Sequence, residues 1–311
     1  MTADPLAGRS KLLIVFVPAF NEAGRIEQTI GDILAQSGVL SEAGCELRIY
    51  VVDDGSTDGT RELARSAGAH RVIRHRVNLG LGAAVRSGLL AARADGADIV
   101  AKLDADLQHD PADLKALITP LIDDEADLVY GDRFKRIDYR MPWVRRAGNA
   151  IFTTLMRWLT GWPLRDSQPG IFAANKAYLQ NFYLPGDYNA TQQVLLDAYH
   201  RGLRFAHVPV AFRRRSGGRS FVSLRYPLKV IPQIALVLVS VKPMRIFASI
   251  GLVFMGTASV VFCWQFAQWL AGHAPKPVVS VNFVLGTGLF GLQTFFFGVL
   301  AELIVRRPKQ P

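Results

Sequence analysis

Over the first 130 or so positions, short apolar runs alternate with segments whose apolar residues recur at helical spacing. Leu12–Val17, Leu47–Val52, Arg71–Arg74, Ile99–Leu103 and Leu128–Gly131 read as strands. Segments 23–37, 58–67, 82–94 and 111–123 between them read as helices. Such alternation predicts an α/β domain with a mostly parallel sheet and helices on both faces. Ligands of such sheets bind beyond the carboxyl ends of the strands. The polar motifs fall at those ends: Pro18–Glu22 after the first strand, Asp53–Ser56 after the second, Asp104–Gln108 after the fourth.

The far end of the chain has a different pattern. Ile246–Gly272 is a run of 27 residues without a charge, and Pro277–Ala301 adds 25 more. About 20 apolar residues in a helix cross about 30 Å of hydrocarbon, so both runs predict membrane spans. Lys242 and Arg245 precede the first run, and Arg306, Arg307 and Lys309 follow the second. The positive-inside rule puts both termini and the N-terminal domain in the cytoplasm, a multi-pass arrangement in the inner membrane, with the turn 273–276 outside. Trp264 and Trp269 suit an interfacial belt, and Gly251, Gly256, Gly286, Gly288 and Gly291 suit close helix packing. The segment 224–245 is basic and then apolar, broken by Pro227 and Pro232, and reads as helices lying in the interface. No signal peptide is expected, because residues 1–10 are polar and Leu12–Val17 is too short. The expected layout is a cytosolic domain over 1–223, juxtamembrane helices over 224–245, two spans over 246–305 and a cytosolic tail over 306–311.

Composition sharpens this. The net charge is +10 over 311 residues, but it is distributed as −6 over 1–135, +13 over 136–245 and +3 over 246–311. A basic middle third could face nucleic acid, anionic lipid or a phosphorylated substrate. The apolar tail favours a membrane surface, and no nucleic-acid motif is present. Two cysteines exclude a disulfide scaffold and a zinc ribbon.

The dinucleotide fingerprint GxGxxG and the P-loop are absent, and acidic motifs stand in their place. Phosphates do not bind bare carboxylates, so a divalent cation has to bridge them. Asp104 and Asp106 lie two residues apart and Gln108 adds a neutral oxygen, an all-oxygen set suited to Mg2+ or Mn2+. Such spacing alone would also suit a solvated turn; its place after an apolar strand favours the metal. Asp53 or Asp54 could accept hydrogen bonds from a nucleobase or cap the next helix, although Ser56, Thr57 and Asp58 are better placed to cap. The glycines of Asn78–Gly82 would permit close backbone approach to a ligand, or simply form a helix-entry loop.

Together V-P-A-F-N-E (Val17–Glu22), V-V-D-D-G-S-T-D-G-T (Val51–Thr60), N-L-G-L-G (Asn78–Gly82), D-A-D-L-Q-H-D-P (Asp104–Pro111) and G-D-R (Gly131–Arg133) resemble glycosyltransferase family 2, with its GT-A (Rossmann-like) fold. With the two spans, the chain is similar to the polyprenyl-phosphate glycosyltransferases, such as dolichyl-phosphate mannose synthase and undecaprenyl-phosphate glucosyltransferases. The resemblance implies that Pro18, Phe20, Glu22, Val51 and Asp53 hold base and ribose, and that Asp104 and Ala105 line the nucleotide site. It assigns the metal to Asp106 and Gln108, and the lipid phosphate to Arg133 with one of Arg140, Arg145 and Arg146. Arg215, Gly218 and Ser220 match the family's R-x-x-G-x-S, in which the arginine clamps diphosphate. Asp166 matches D-x-x-x-G and would orient sugar or acceptor. Phe20 departs from a common tyrosine and loses any hydroxyl contact.

A second departure bears on mechanism. Members acting on sugar hydroxyls need a carboxylate base well after the D-x-D; the corresponding stretch here is Thr191-Gln192-Gln193-Val194-Leu195-Leu196. Glutamine takes no proton at neutral pH, whereas a phosphate acceptor is already anionic and needs no base. The expected reaction is therefore in-line, inverting attack of a polyprenyl phosphate on a nucleotide sugar of the GDP-mannose or UDP-glucose type, with Mg2+ or Mn2+ and Arg215 on the leaving diphosphate. Its product would be a lipid-linked sugar donor for cell-envelope or protein glycosylation. Transfer to a saccharide or protein hydroxyl, or nucleotide-sugar binding without catalysis, are the alternatives. A processive synthase is disfavoured, since Thr154 stands where Q-x-x-R-W needs glutamine before Arg157-Trp158. Homo-oligomerisation is left open.

Overall fold

The computed structural model describes residues 10–137, 143–167, 169–184, 190–213 and 243–305. The chain divides into two compact units, 1–219 and 220–311.

The first unit is built on one seven-stranded sheet in the order β3-β2-β1-β4-β6-β5-β7. Four strands form its parallel half: β1 (Lys11–Ala19), β2 (Cys45–Asp53), β3 (Arg71–Arg74) and β4 (Ile99–Lys102). Their middles are continuous apolar runs because both faces are covered; Leu13 to Val17 are all 0% exposed. Helices α1 (Ile26–Leu34), α2 (Ser37–Glu42), α3 (Thr60–Ser66), α4 (Leu81–Ala94) and α5 (Asp113–Ile122) make the connections. Ile26, Ile30 and Ile33 of α1 recur at helical spacing and join Leu114, Leu117, Ile118 and Leu121 of α5 in the same core as the strands.

Two predicted helices differ from the structure. The span 23–37 holds one helix, α1, shorter at both ends (Ile26–Leu34), and the short α2 follows from Ser37 to Glu42. Helix α3 starts at Thr60 rather than at 58, and its N-cap residue is Gly59 at φ +84°. Asp58 Oδ1 accepts from Thr60 N, the first N–H of the helix, at 3.2 Å, whereas Ser56 and Thr57 bond the loop that follows β1, as described below.

Of the second half of the sheet, the hydrophobic pattern assigns only the start of one strand, Leu128–Gly131. β5 (Leu128–Ile137) runs past Gly131, where the apolar run ends, and pairs parallel with β7 (Phe205–Phe212). The short β6 (Phe172–Asn175) is inserted antiparallel between β4 and β5. Its helices are α6 (Trp143–Thr160), α7 (Lys176–Asn181) and α8 (Ala190–His200). Asp127 clasps this half at its base: it accepts from Arg204 N at 2.8 Å, Arg204 Nε at 3.1 Å and Asn175 Nδ2 at 2.8 Å. Burial pushes the Asp127 carboxyl up, but these hydrogen bonds prevail and hold it down at about 2.

The second unit contains α9 (Pro243–Leu270) and α10 (Val281–Val305). Both are long and apolar enough to cross a membrane, with mean hydropathy of 2.2 for Pro243–Leu270 and 1.7 for Val281–Ile304. They pack directly on each other. A Cβ on Gly251 would lie 2.6 Å from the Gly291 carbonyl, and one on Gly291 would lie 2.8 Å from the Gly251 carbonyl, so this contact admits no side chain. At the turn, Gln265 Oε1 accepts from Val279 N at 2.7 Å and Ser280 N at 3.0 Å, which satisfies backbone at the entry to α10. The segment 224–242, expected to form interfacial helices, lies outside the described residues.

Candidate active site

The ends of β1 and β2 are in register, Pro18 with Val52 and Ala19 with Asp53, so the two motifs after them lie side by side. Asp54 N donates to Ala19 O at 2.9 Å. The loops then interlock: Asn21 N donates to Ser56 Oγ at 3.0 Å, Thr57 N to Asn21 Oδ1 at 2.9 Å, Glu22 N to Thr60 Oγ1 at 2.9 Å and Ala23 N to Asp58 Oδ2 at 3.1 Å. Asn21 sits at φ +53°, a conformation that asparagine tolerates better than most residues. Phe20 beside it is 45% exposed. Pro18, Val51 and Asp53 are buried. Asp53 Oδ1 accepts from Ser56 N at 2.9 Å, and Glu22 pairs with Arg25 at 2.5 Å.

Asp54 closes the next loop. It accepts from Leu79 N at 2.9 Å, Gly80 N at 2.8 Å and His75 Nδ1 at 2.7 Å, while His75 Nε2 lies 2.8 Å from Ser87 Oγ. The Asp–His–Ser order imitates a hydrolase triad. Ser87, however, lies inside α4, where backbone N–H groups are committed to helix bonds and cannot form an oxyanion hole. The network holds the Asn78–Gly82 loop onto the β2 end.

The Asp104–Pro111 loop leaves the end of β4. Leu107 is at φ +60°, costly for a leucine, and it separates Asp106 from Gln108. Gln108 N donates to Asp106 Oδ1 at 3.2 Å, which folds the Asp106 carboxylate onto the main chain of this turn. Gln108 Nε2 donates to Arg213 O at 3.2 Å and Arg213 N donates to Gln108 O at 2.7 Å. Once its N–H is committed, the amide oxygen of Gln108 is the atom left for a cation. One carboxylate and one amide oxygen fit Mg2+ or Mn2+ that keeps water and diphosphate oxygens as its other ligands. Among the described residues no group of three or more His, Cys, Asp and Glu side chains could hold a metal alone.

His109 is buried behind this loop. Burial pushes its pKa down to about 4, against the opposing charge of Asp104. Its ring lies 5.1 Å from that of Phe212, and Arg133 stands 5.2 Å over the Phe212 ring. Gly170 reaches the same place: a Cβ there would lie 2.4 Å from His109 Nε2 and 2.5 Å from Asp104 Oδ2. Thus Asp104, His109, Gly170, Phe212 and Arg133 converge although they are widely spaced in sequence. Arg133 on β5 donates to the fully buried Asp166 through Nε at 2.6 Å and Nη2 at 3.2 Å. Asp132 lies 3.8 Å from Arg165, and Arg165 N donates to His207 Nε2 at 3.0 Å. That bond needs a neutral imidazole, and burial pushes His207 below the usual histidine range.

Five positions singled out by resemblance are not brought into view. Arg140, Arg215, Gly218 and Ser220 lie outside the described residues, and Arg145 is described only as part of α6. Arg146 is exposed on α6. Gln192 is buried in α8. Arg213 is largely exposed and pairs with Asp110. A cleft of about 210 Å³ between α1 and the far side of the loop, lined by Gln28, Asp32 and Leu107, is too small for a nucleotide sugar. Lys102 and Phe212 belong to the site but carry no motif signal, since each looks like an ordinary strand-end residue.

Comparison with known proteins gives concordant results. The profile of "Glycosyl transferase family 2" matches residues 14–182, more than half of the chain. A dolichyl-phosphate hexose transferase of Haloferax volcanii is 32% identical over 205 residues, 66% of this chain and 84% of that protein. A dodecaprenyl-phosphate galacturonate synthase of Rhizobium johnstonii is 26% identical over 98% of this chain and 92% of its own length. Among solved structures, glucosyl-3-phosphoglycerate synthase of Mycobacterium tuberculosis, in complex with Mn2+, UDP and glucosyl-3-phosphoglycerate, superposes with a TM-score of 0.56 at 26% identity, covering 76% of this chain and 80% of that one.

Proposed function

The chain belongs to glycosyl transferase family 2 and is a glycosyltransferase; from that premise we propose that it transfers a hexose from a nucleotide sugar to a polyprenyl phosphate, with inversion at the anomeric carbon. The observation that carries this reading is the meeting of an acidic donor loop, Asp104 to Gln108, with a guanidinium held by a buried carboxylate, Arg133 on Asp166. The first suits a metal-bound diphosphate and the second an anionic acceptor.

The proposed reaction forms a bond from an acceptor phosphate oxygen to the anomeric carbon as the bond from that carbon to the diphosphate breaks. The nucleophile is already an anion and the leaving group departs as one, so no proton has to move. Glutamines at 192 and 193 and the engagement of Asp166 by Arg133 are then no obstacle. Arg133 holds the acceptor phosphate, and Asp166 fixes its guanidinium. Asp106 and Gln108 would hold a divalent cation, which when bound would neutralise charge on the diphosphate. Pro18, Phe20, Glu22, Val51, Asp53, Asp104 and Ala105 form the nucleotide site, and Arg215 clamps the diphosphate. The names of the Haloferax and Rhizobium relatives support the lipid-phosphate acceptor, and Mn2+ and UDP in the mycobacterial structure support the donor chemistry.

Membrane attachment follows from α9 and α10, with both termini on the cytoplasmic side of the inner membrane. The exposed face of α6 supports a second contact with lipid. Ile151 and Trp158, 63% and 54% exposed, lie two turns apart there with the exposed Arg146 and Arg157. Residues 139–165 contain five arginines and no acidic residue. The test incubates membranes carrying the protein with a panel of labelled nucleotide sugars, Mg2+ and undecaprenyl phosphate. Label in an organic-extractable, mild-acid-labile product is the expected result; transfer only to a hydroxyl acceptor would reject the reading.

A further inference from the structure

Strand β4 is apolar and buried at Ile99, Val100 and Ala101, and then ends on a lysine. The Lys102 side chain is 2% exposed. An ammonium is costly to bury unless it is paired and hydrogen-bonded. Lys102 Nζ lies 2.5 Å from Asp104 Oδ1 and donates to Gly170 O at 2.9 Å. Asp104 is 27% exposed at its side chain, and its other oxygen faces Gly170 and His109.

A D-x-D loop is usually counted as two carboxylates facing one cation. Here the first carboxylate already has a cation of its own, buried and held from behind by a backbone carbonyl. We propose that Lys102 is a positioning residue that neutralises Asp104 and turns it away from metal duty, which leaves the divalent cation to Asp106 and Gln108. This rests on the glycosyl-transfer reading above and deepens it. Affinity of an oxygen site for a hard cation rises with the number of charged ligands. A site with one charged carboxylate holds its metal weakly until diphosphate oxygens join, and releases metal and nucleoside diphosphate together after transfer.

The test is a double-mutant cycle on the full-length chain, read by electron paramagnetic resonance of free Mn2+ titrated with and without UDP or GDP. Lys102→Met releases a second carboxylate and should tighten Mn2+ binding by about three- to tenfold. Asp104→Asn leaves an unpaired cation beside the site and should weaken it by a similar factor. Removing the pair together, Lys102→Met with Asp104→Asn, should restore Mn2+ affinity, measured without nucleotide, to within about twofold of the starting protein. A merely structural pair would give losses of the same sign. Unchanged or weaker binding in Lys102→Met, or weak binding in the double variant, overturns the proposal. Lys102→Gln should shift in the same direction and replaces the methionine variant if that one does not fold. Failure of the unmutated chain to bind Mn2+ even with nucleotide would instead remove the metal from the function itself, and this inference with it.

Discussion

Single atoms at this site decide between chemistries. Asp106 and Gln108 are the residues through which the chain would hold a divalent ion, so Asp106→Ala should lower turnover by about a hundredfold or more. A rate assay over a range of Mg2+ concentrations checks this; full activity would remove the metal assignment. Gly170 is required for a steric reason, since any side chain there meets His109 and Asp104. Gly170→Ala should cost about 2 kcal/mol and depress activity, measured by melting and by rate. The Asp54 carboxylate is the common acceptor for His75, Leu79 and Gly80. Asp54→Ala should cost roughly 3 kcal/mol by stranding those donors, and should weaken nucleotide binding before it affects the acceptor.

The parallel half of the sheet is readable from the chain at the scale of elements because each strand is a short apolar run that ends on a polar motif. The motifs are readable because strand ends are where such sheets bind ligands. The other half resists this treatment. β6 is four residues, Phe-Ala-Ala-Asn, with no alternation to mark it, and it enters between β4 and β5 from a distant part of the chain. Arg133 and Asp166 are 33 positions apart, and nothing in either motif announces their ion pair. Lys102 reads as part of an ordinary strand until its buried partners are known. This second half also carries a clear pH dependence. Asp127 is held at about 2 by Arg204 and Asn175, below the ordinary aspartate value. Its contribution is therefore complete above about pH 4 and is lost as pH falls toward 2. Asp127→Asn should lower the melting temperature at neutral pH and flatten its fall between about pH 4 and 2; an unchanged acid profile would contradict the assignment.

For the molecule as a whole, the three charge blocks separate by task. The −6 block contains the carboxylate loops, the +13 block contains Arg133's neighbours and the basic face of α6, and the last block is two apolar helices with basic flanks. Net charge alone suits a nucleic-acid binder; its distribution suits an enzyme working at a membrane surface on a phosphorylated lipid. The central claim is that the acceptor is a phosphate and not a hydroxyl. The most direct measurement gives the purified full-length chain, in one vesicle composition, the same labelled nucleotide sugar with either a polyprenyl phosphate or the matching polyprenol. The account predicts label in the lipid fraction with the phosphate, as an acid-labile phosphodiester of inverted anomeric configuration, and none with the alcohol. Equal transfer to the alcohol, or a product of retained configuration, would contradict it.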